Sequence, residues 1–213
     1  MENMQRRLIP EGLQKSFVNL LKPLVKLFIK WNLNPNSLTL AGVAITSMAA
    51  LAFIMGKIRL GGLLILLGGL CDAIDGNVAR SASKATSFGA LFDSTVDRYS
   101  EFIMFFGIAA YFVFLQDYQT LVAVFLALCG SIMVSYARAR AEGLGLDAKG
   151  GMMQRPERIV FLGVGALIHV VAFEIAIWVV AVFANYTALQ RIRCAYKQDS
   201  ARLNQEAVIK PWK

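Results

Sequence analysis

The sequence predicts an all-α integral membrane protein, with six transmembrane helices preceded by an N-terminal amphipathic helix lying at the interface. Three observations carry that expectation. Hydrophobic residues make up 57% of the 213 and charged residues only 17%, too little polar surface to cover a soluble domain of this size. The apolar residues gather into six segments long enough to cross a bilayer, near 37–56, 60–80, 89–115, 119–141, 157–173 and 175–196. The 22 Lys and Arg also fall almost entirely on one side of those segments, as short cytoplasmic loops require.

Taken in order, residues 1–36 form an N-terminal cytoplasmic or interfacial segment with six Lys/Arg and no short apolar run ending in a cleavage site, so no cleaved signal peptide is expected. Within it, "EGLQKSFVNLLKPLVKLFIKW" sets Leu13, Phe17, Leu20, Leu21, Leu24, Leu27, Phe28 and Trp31 on one helical face and Lys15, Lys22, Lys26 and Lys30 opposite. Such a helix lies on a leaflet, and Pro23 marks a bend in it. Residues 37–196 form the six-helix membrane domain. Gly56, Gly61 and the polar "QDYQ" at 116–119 mark tight connections, and "AEGLGLDAKGGMMQRPE" at 141–157 marks one sizeable loop. Residues 197–213 read as a polar, loosely ordered cytoplasmic tail.

Six Lys/Arg precede the first span, Arg80 and Lys84 lie in the second connection, five fall from Arg138 to Arg158, and six follow from Arg191. Only Lys57 and Arg59 sit on the other face, with Arg98 inside a span, so both termini are expected in the cytoplasm. A net charge of +8 with no soluble domain to carry a basic groove points away from nucleic acid, toward anionic headgroups and phosphorylated substrates. Cys71, Cys129 and Cys194 are odd in number and far apart, which fits buried free thiols and neither a disulfide framework nor a zinc site. His169 reads as a packed polar residue with a local partner, and Glu101 as the neutraliser of Arg98.

The chemistry is concentrated in "CDAIDGNVARSASKATSFGALFDSTVDRYSE", Cys71 to Glu101. Asp72, Asp75, Gly76 and Ala79 follow i, i+3, i+4, i+7, so one helix face carries two carboxylates and then two residues with almost no side chain. Asp93 and Asp97 lie one turn apart on the next span, one turn after Gly89. An antiparallel pair of helices brings these faces together, and four carboxylates in one place repel unless cations join them. Oxygen-only donors favour two Mg²⁺ or Mn²⁺ ions, the usual device for clamping a diphosphate. Pairing of the aspartates with Arg80 and Arg98 alone accounts for two of the four at most.

The stretch from Asp72 to Asp97 matches D-x2-D-G-x2-A-R-x8-G-x3-D-x3-D and resembles the CDP-alcohol phosphotransferase family; "NPNSLT" upstream is similar to that family's entry motif. The resemblance implies that Asp72, Asp75, Asp93 and Asp97 hold the metals and that Asp97 is the general base. It further implies a CDP pocket of Asn36, Thr39, Asp72, Asp75, Gly76, Ala79, Arg80 and Gly89, and a homodimer. The implied reaction moves a phosphatidyl-type group from a CDP-linked lipid, diacyl or ether, to an alcohol and releases CMP.

For the acceptor, Arg138, Arg140, Arg155, Arg158, Arg191 and Arg193 can gather at the same face, where guanidinium groups suit a phosphate. "SYARARAEG" followed by "RPER" resembles the phosphatidylinositol phosphate synthase branch, which implies inositol 1-phosphate as acceptor, held by Arg138, Arg155 and Arg191. Arg138 stands where that branch more often carries Lys. Glycerol 3-phosphate is the alternative acceptor. A divalent-cation transporter needs neither the small residues nor the arginine cluster, and an intramembrane prenyltransferase spaces its aspartates differently.

Overall fold

The computed structural model describes residues 11–30, 35–81, 86–148 and 150–209. Side chains at 35–36, 76, 79–81 and 204–209, and most of those before 21, lie outside that description. Every described element is a helix: α1 (Glu11–Lys30), α2 (Pro35–Ile54), α3 (Ile58–Ser81), α4 (Ser87–Phe114), α5 (Tyr118–Gly143), α6 (Arg155–Ile168) and α7 (Val170–Ile209). The expected interfacial helix and six apolar segments are each matched by a helix. Three of these are long and apolar enough to cross a membrane by length and composition, with spans at Ser37–Ile54, Tyr118–Gly143 and Val170–Leu203. The composition and these helices make the chain an all-α membrane protein.

Neighbouring helices form a closed ring, α2–α3–α6–α7–α5–α4 and back to α2, with α1 resting on α3. Small residues let the ring close, since without a water-driven term between apolar helices close van der Waals approach must hold them. A Cβ on Gly107 would stand 2.5 Å from the Cα of Ala50, so α4 and α2 meet backbone to backbone. The same holds for Gly62, where a Cβ would lie 2.7 Å from the Gly163 carbonyl oxygen and push α3 off α6. One end of the ring is filled by aromatic rings: Phe53 stacks on Phe173 at 5.3 Å, and Phe112 leans on the same ring at 6.0 Å. Ile108, Val124, Leu162, Ile177 and Val180 extend this core along the helices.

Tight turns join the helices where the sequence marks them. Gly56 takes φ 74° between α2 and α3, a conformation that suits glycine. Asp117 caps α5 by accepting from the Thr120 amide at 3.0 Å. The long connection from α5 to α6 is strapped to α7. Thr187 Oγ1 accepts from the Met153 amide at 3.0 Å, and Arg191 Nε donates to the Gly150 carbonyl at 2.9 Å. Gln198 grips Asp147 at two points, accepting from its amide at 2.8 Å and donating to its carbonyl at 2.5 Å.

Four expectations need correction. The break between the last two helices falls at His169, not near Glu174, and His169 is exposed; its Nδ1 accepts from the Val171 amide at 3.3 Å. The tail is not loose at its start, because α7 continues to Ile209. Cys129 is exposed, and Cys71 and Cys194 are half-buried, although all three are free. The apolar face of α1 is shared: Leu21 and Val25 pack on Ile74 and Val78 of α3, while Leu24 and Leu27 stay exposed.

Candidate active site

Opposite the aromatic end, α3 and α4 present their carboxylates to one another. Asp72 and Asp75 are one turn apart on α3, and α4 begins at Ser87 with Thr86 as its cap, accepting from the Gly89 amide at 2.9 Å. This cap fixes where the helix starts and therefore which turn carries Asp93 and Asp97. Carboxylate oxygens of Asp72, Asp75 and Asp93 lie within 4.8 Å of one another. Asp75 is buried and accepts from Thr39 Oγ1 at 2.9 Å, which joins α2 to the cluster. An all-oxygen set at this separation fits Mg²⁺ or Mn²⁺.

Asp97 stands beside this triad, and it has a partner that spacing alone does not reveal. Arg155, the first residue of α6, donates through Nη1 to Asp72 Oδ1 at 2.5 Å and to Asp97 Oδ1 at 2.6 Å. Arg98 reaches Asp97 more loosely, at 3.8 Å, and donates to Ser135 Oγ at 2.7 Å and to the Ser94 carbonyl. Glu101, one turn past Asp97, does not neutralise Arg98; it forms a buried ion pair with Arg158. The cleft at the centre is lined by Thr39, Gly42, Thr46, Asp72, Asp97 and Arg155, among others.

The three arginines expected at an acceptor phosphate stand differently. Arg155 is at the aspartates. Arg191 is buried against the strap, its Nη1 donating to the Val134 carbonyl at 2.5 Å in addition to its bond with Gly150. Arg138 is exposed and paired with Glu142 at 3.0 Å, one turn further along α5. Arg140 and Arg193 are also exposed. In the expected CDP pocket, Thr39 touches the cluster directly and Gly89 is half-buried in the first turn of α4. The side chains of Asn36, Gly76, Ala79 and Arg80 lie outside the described residues.

A model of the CDP-alcohol phosphatidyltransferases matches residues 32–187, which include all four aspartates and Arg155. The chain belongs to this family. As a CDP-alcohol phosphatidyltransferase it is a membrane transferase of phospholipid biosynthesis. It is 36% identical over 195 residues to the phosphatidylinositol phosphate synthase of Mycolicibacterium smegmatis, covering 87% of this chain and 88% of that one. The archaetidylinositol phosphate synthase of Pyrococcus horikoshii is likewise 36% identical, over 167 residues, 78% of this chain and 85% of that one. Among solved structures, the phosphatidylinositol phosphate synthase of Mycobacterium tuberculosis with CDP-DAG bound superposes with a TM-score of 0.74 at 30% identity, covering 84% of this chain and 94% of that one. The same enzyme with manganese and citrate gives 0.73 at 32% identity, covering 82% and 88%.

Proposed function

We propose that this CDP-alcohol phosphatidyltransferase transfers a phosphatidyl-type group from a CDP-linked lipid, CDP-diacylglycerol or its ether equivalent, to inositol 1-phosphate. The products are CMP and a phosphatidylinositol phosphate. The observation that carries this reading is the position of Arg155, whose guanidinium lies on Asp97 and Asp72 and so sets a phosphate-binding group next to the group that must accept a proton. The names of the similar synthases support the same acceptor.

In this reading Asp72, Asp75, Asp93 and Asp97 would together hold two ions, and Thr39 fixes the Asp75 carboxylate by its hydrogen bond. When bound, Mg²⁺ or Mn²⁺ supplies neutralisation of the diphosphate and stabilises the departing CMP. Asn36, Gly76, Ala79, Arg80 and Gly89 admit the CDP group. Asp97 takes the proton of the attacking hydroxyl as its oxygen bonds to the lipid-bearing phosphorus, and the bond to CMP breaks with the electron pair leaving on CMP. Arg155, with Arg138 and Arg191, holds the acceptor phosphate several bonds from that hydroxyl. Helices α2 to α7 cross the membrane six times, with both termini and the aspartates on the cytoplasmic side. The enzyme works as a homodimer.

The test is CMP release against inositol, inositol 1-phosphate, glycerol 3-phosphate and serine. Inositol 1-phosphate is expected to be preferred, and free inositol to be poor because it leaves the guanidinium groups without charge-assisted bonds of roughly 1.5–3 kcal/mol each. A clear preference for an unphosphorylated alcohol overturns the reading. Preference for glycerol 3-phosphate keeps the cationic pocket and replaces the acceptor.

A further inference from the structure

We infer that Glu101 and Arg158 are positioning residues: their ion pair crosses the inside of the helix ring and fixes the start of α6, so that the Arg155 guanidinium stands between Asp72 and Asp97. The inference deepens the proposed function and rests on its assignment of Arg155 to the acceptor.

Ring order is the first support. α4 packs on α2 and α5, and α6 packs on α3 and α7, so the two helices face each other across the ring and are not neighbours around it. Side-chain bonds are therefore the direct links between them. They come as two rungs: Asp97 meets Arg155, and one turn later on both helices Glu101 meets Arg158. Because the pairs advance in the same sense, rotating or sliding α6 to disturb one rung disturbs the other.

Burial is the second support. Glu101 is 4% exposed and Arg158 1%, yet Glu101 Oε2 and Arg158 Nε have no hydrogen-bond partner among the described residues. A buried pair satisfied only in part is a poor source of stability compared with two apolar side chains of the same volume. Its geometry is what an apolar pair cannot reproduce. The third support is local. Gln154, the N-cap of α6, makes no side-chain cap bond, and Gly150 and Gly151 just before it have φ 152° and 118°. The start of α6 thus has no cap of its own to fix it. Thr187 of α7 holds the Met153 amide from one side, and Arg158 adds a hold from within the ring, since its Nη1 donates to the Met153 carbonyl at 3.4 Å.

The experiment compares the full-length enzyme with the apolar double variant Glu101→Leu/Arg158→Met and with Arg158→Lys. The acceptor for the comparison is whichever of inositol 1-phosphate, glycerol 3-phosphate and inositol the parent turns over fastest. Preference for glycerol 3-phosphate then refutes the acceptor of the proposed function without affecting this test, whereas preference for inositol removes the role of Arg155 and overturns the inference with it. The double variant is expected to keep the parent's thermal midpoint and its Mn²⁺-dependent affinity for CDP, measured by calorimetry, while its acceptor KM rises about tenfold. Arg158→Lys retains the charge and is expected to recover most of that loss. An unchanged acceptor KM in the apolar double variant overturns the inference and leaves the pair as packing alone. If the double variant does not accumulate, Glu101→Gln decides, with KM read on the folded fraction: an acceptor KM raised about threefold supports the inference, and an unchanged KM overturns it.

Discussion

The two ends of the helix ring are built on opposite rules. At one end Phe53, Phe112 and Phe173 stack into a core whose members need nothing but volume and contact. At the other, Asp72, Asp75, Asp93 and Asp97 crowd together with Arg155, a collection that repels itself unless each charge has a partner. Stability therefore comes mainly from the aromatic end. The residues proposed for transfer are gathered at the other end, as stability and activity commonly trade against each other.

Substitutions at the two ends should separate cleanly. Asp97→Asn is expected to lower transfer by about 10²–10⁴-fold, the range for loss of a general base, with the folded fraction in detergent unchanged. A matching drop in thermal midpoint would show that the carboxylate end also supports the fold. Phe173→Ala should do the reverse, costing about 3–5 kcal/mol of stability by analogy with other buried aromatic truncations, while CMP release per folded molecule stays near the parent's. Denaturation and turnover measured on one preparation decide it.

Smaller effects sharpen the contrast along the length of the ring. Gly107→Ala places a methyl group against the Ala50 backbone and should cost about 1–3 kcal/mol, seen as a lower thermal midpoint with little change in acceptor KM. Gln198→Ala removes both bonds to Asp147 and should speed hydrogen exchange at the Asp147 amide by about threefold to tenfold, matching roughly 0.5–1.5 kcal/mol for a typical bond.

The smallest effect lies at the Asp117 turn. Its carboxyl is held below the usual carboxylate value by hydrogen bonds from the Thr120 side chain and amide. A depressed folded value means the stabilisation is complete above the unfolded value of about 3.9 and is lost as pH falls through the lower folded one. Asp117→Ala should therefore lower stability by about 1 kcal/mol at pH 7, and the difference from the parent should shrink below pH about 4. A difference that stays constant until the carboxyl is fully protonated would mean the side chain acts by packing.

How much of this was legible in the sequence follows the same division. Aspartates at i, i+3 and i, i+4 spacing share a helix face whatever the surrounding fold, so the carboxylate cluster could be expected from four residues. The partners of Asp97 and Glu101 could not, because Arg155 and Arg158 reach them through the ring order, which no local spacing encodes. Arg191 had a readable charge but not a readable contact: its bonds are to the backbone at Gly150 and Val134, and backbone acceptors carry no signature in side-chain composition. The helix break at His169 was missed because the apolar run continues through it, with that one polar ring as its only mark. The length of α7 was missed for a simpler reason. Polar composition suggested a tail, yet residues 170–209 contain neither Gly nor Pro to end a helix.

That length makes α7 a lever. Its 40 residues span about 60 Å at 1.5 Å per residue, roughly twice the hydrocarbon thickness of a bilayer. Thr187, Arg191, Cys194 and Gln198 form a row along the arm that touches the strap leading into α6. From Val170 to Gln198 the arm measures about 42 Å, so pivoting the helix by about 5° around its apolar start sweeps Gln198 through about 4 Å. Helices tilt to match the thickness of the bilayer around them. Any tilt of this arm would therefore be felt along the row that touches the strap, the segment that leads into Arg155.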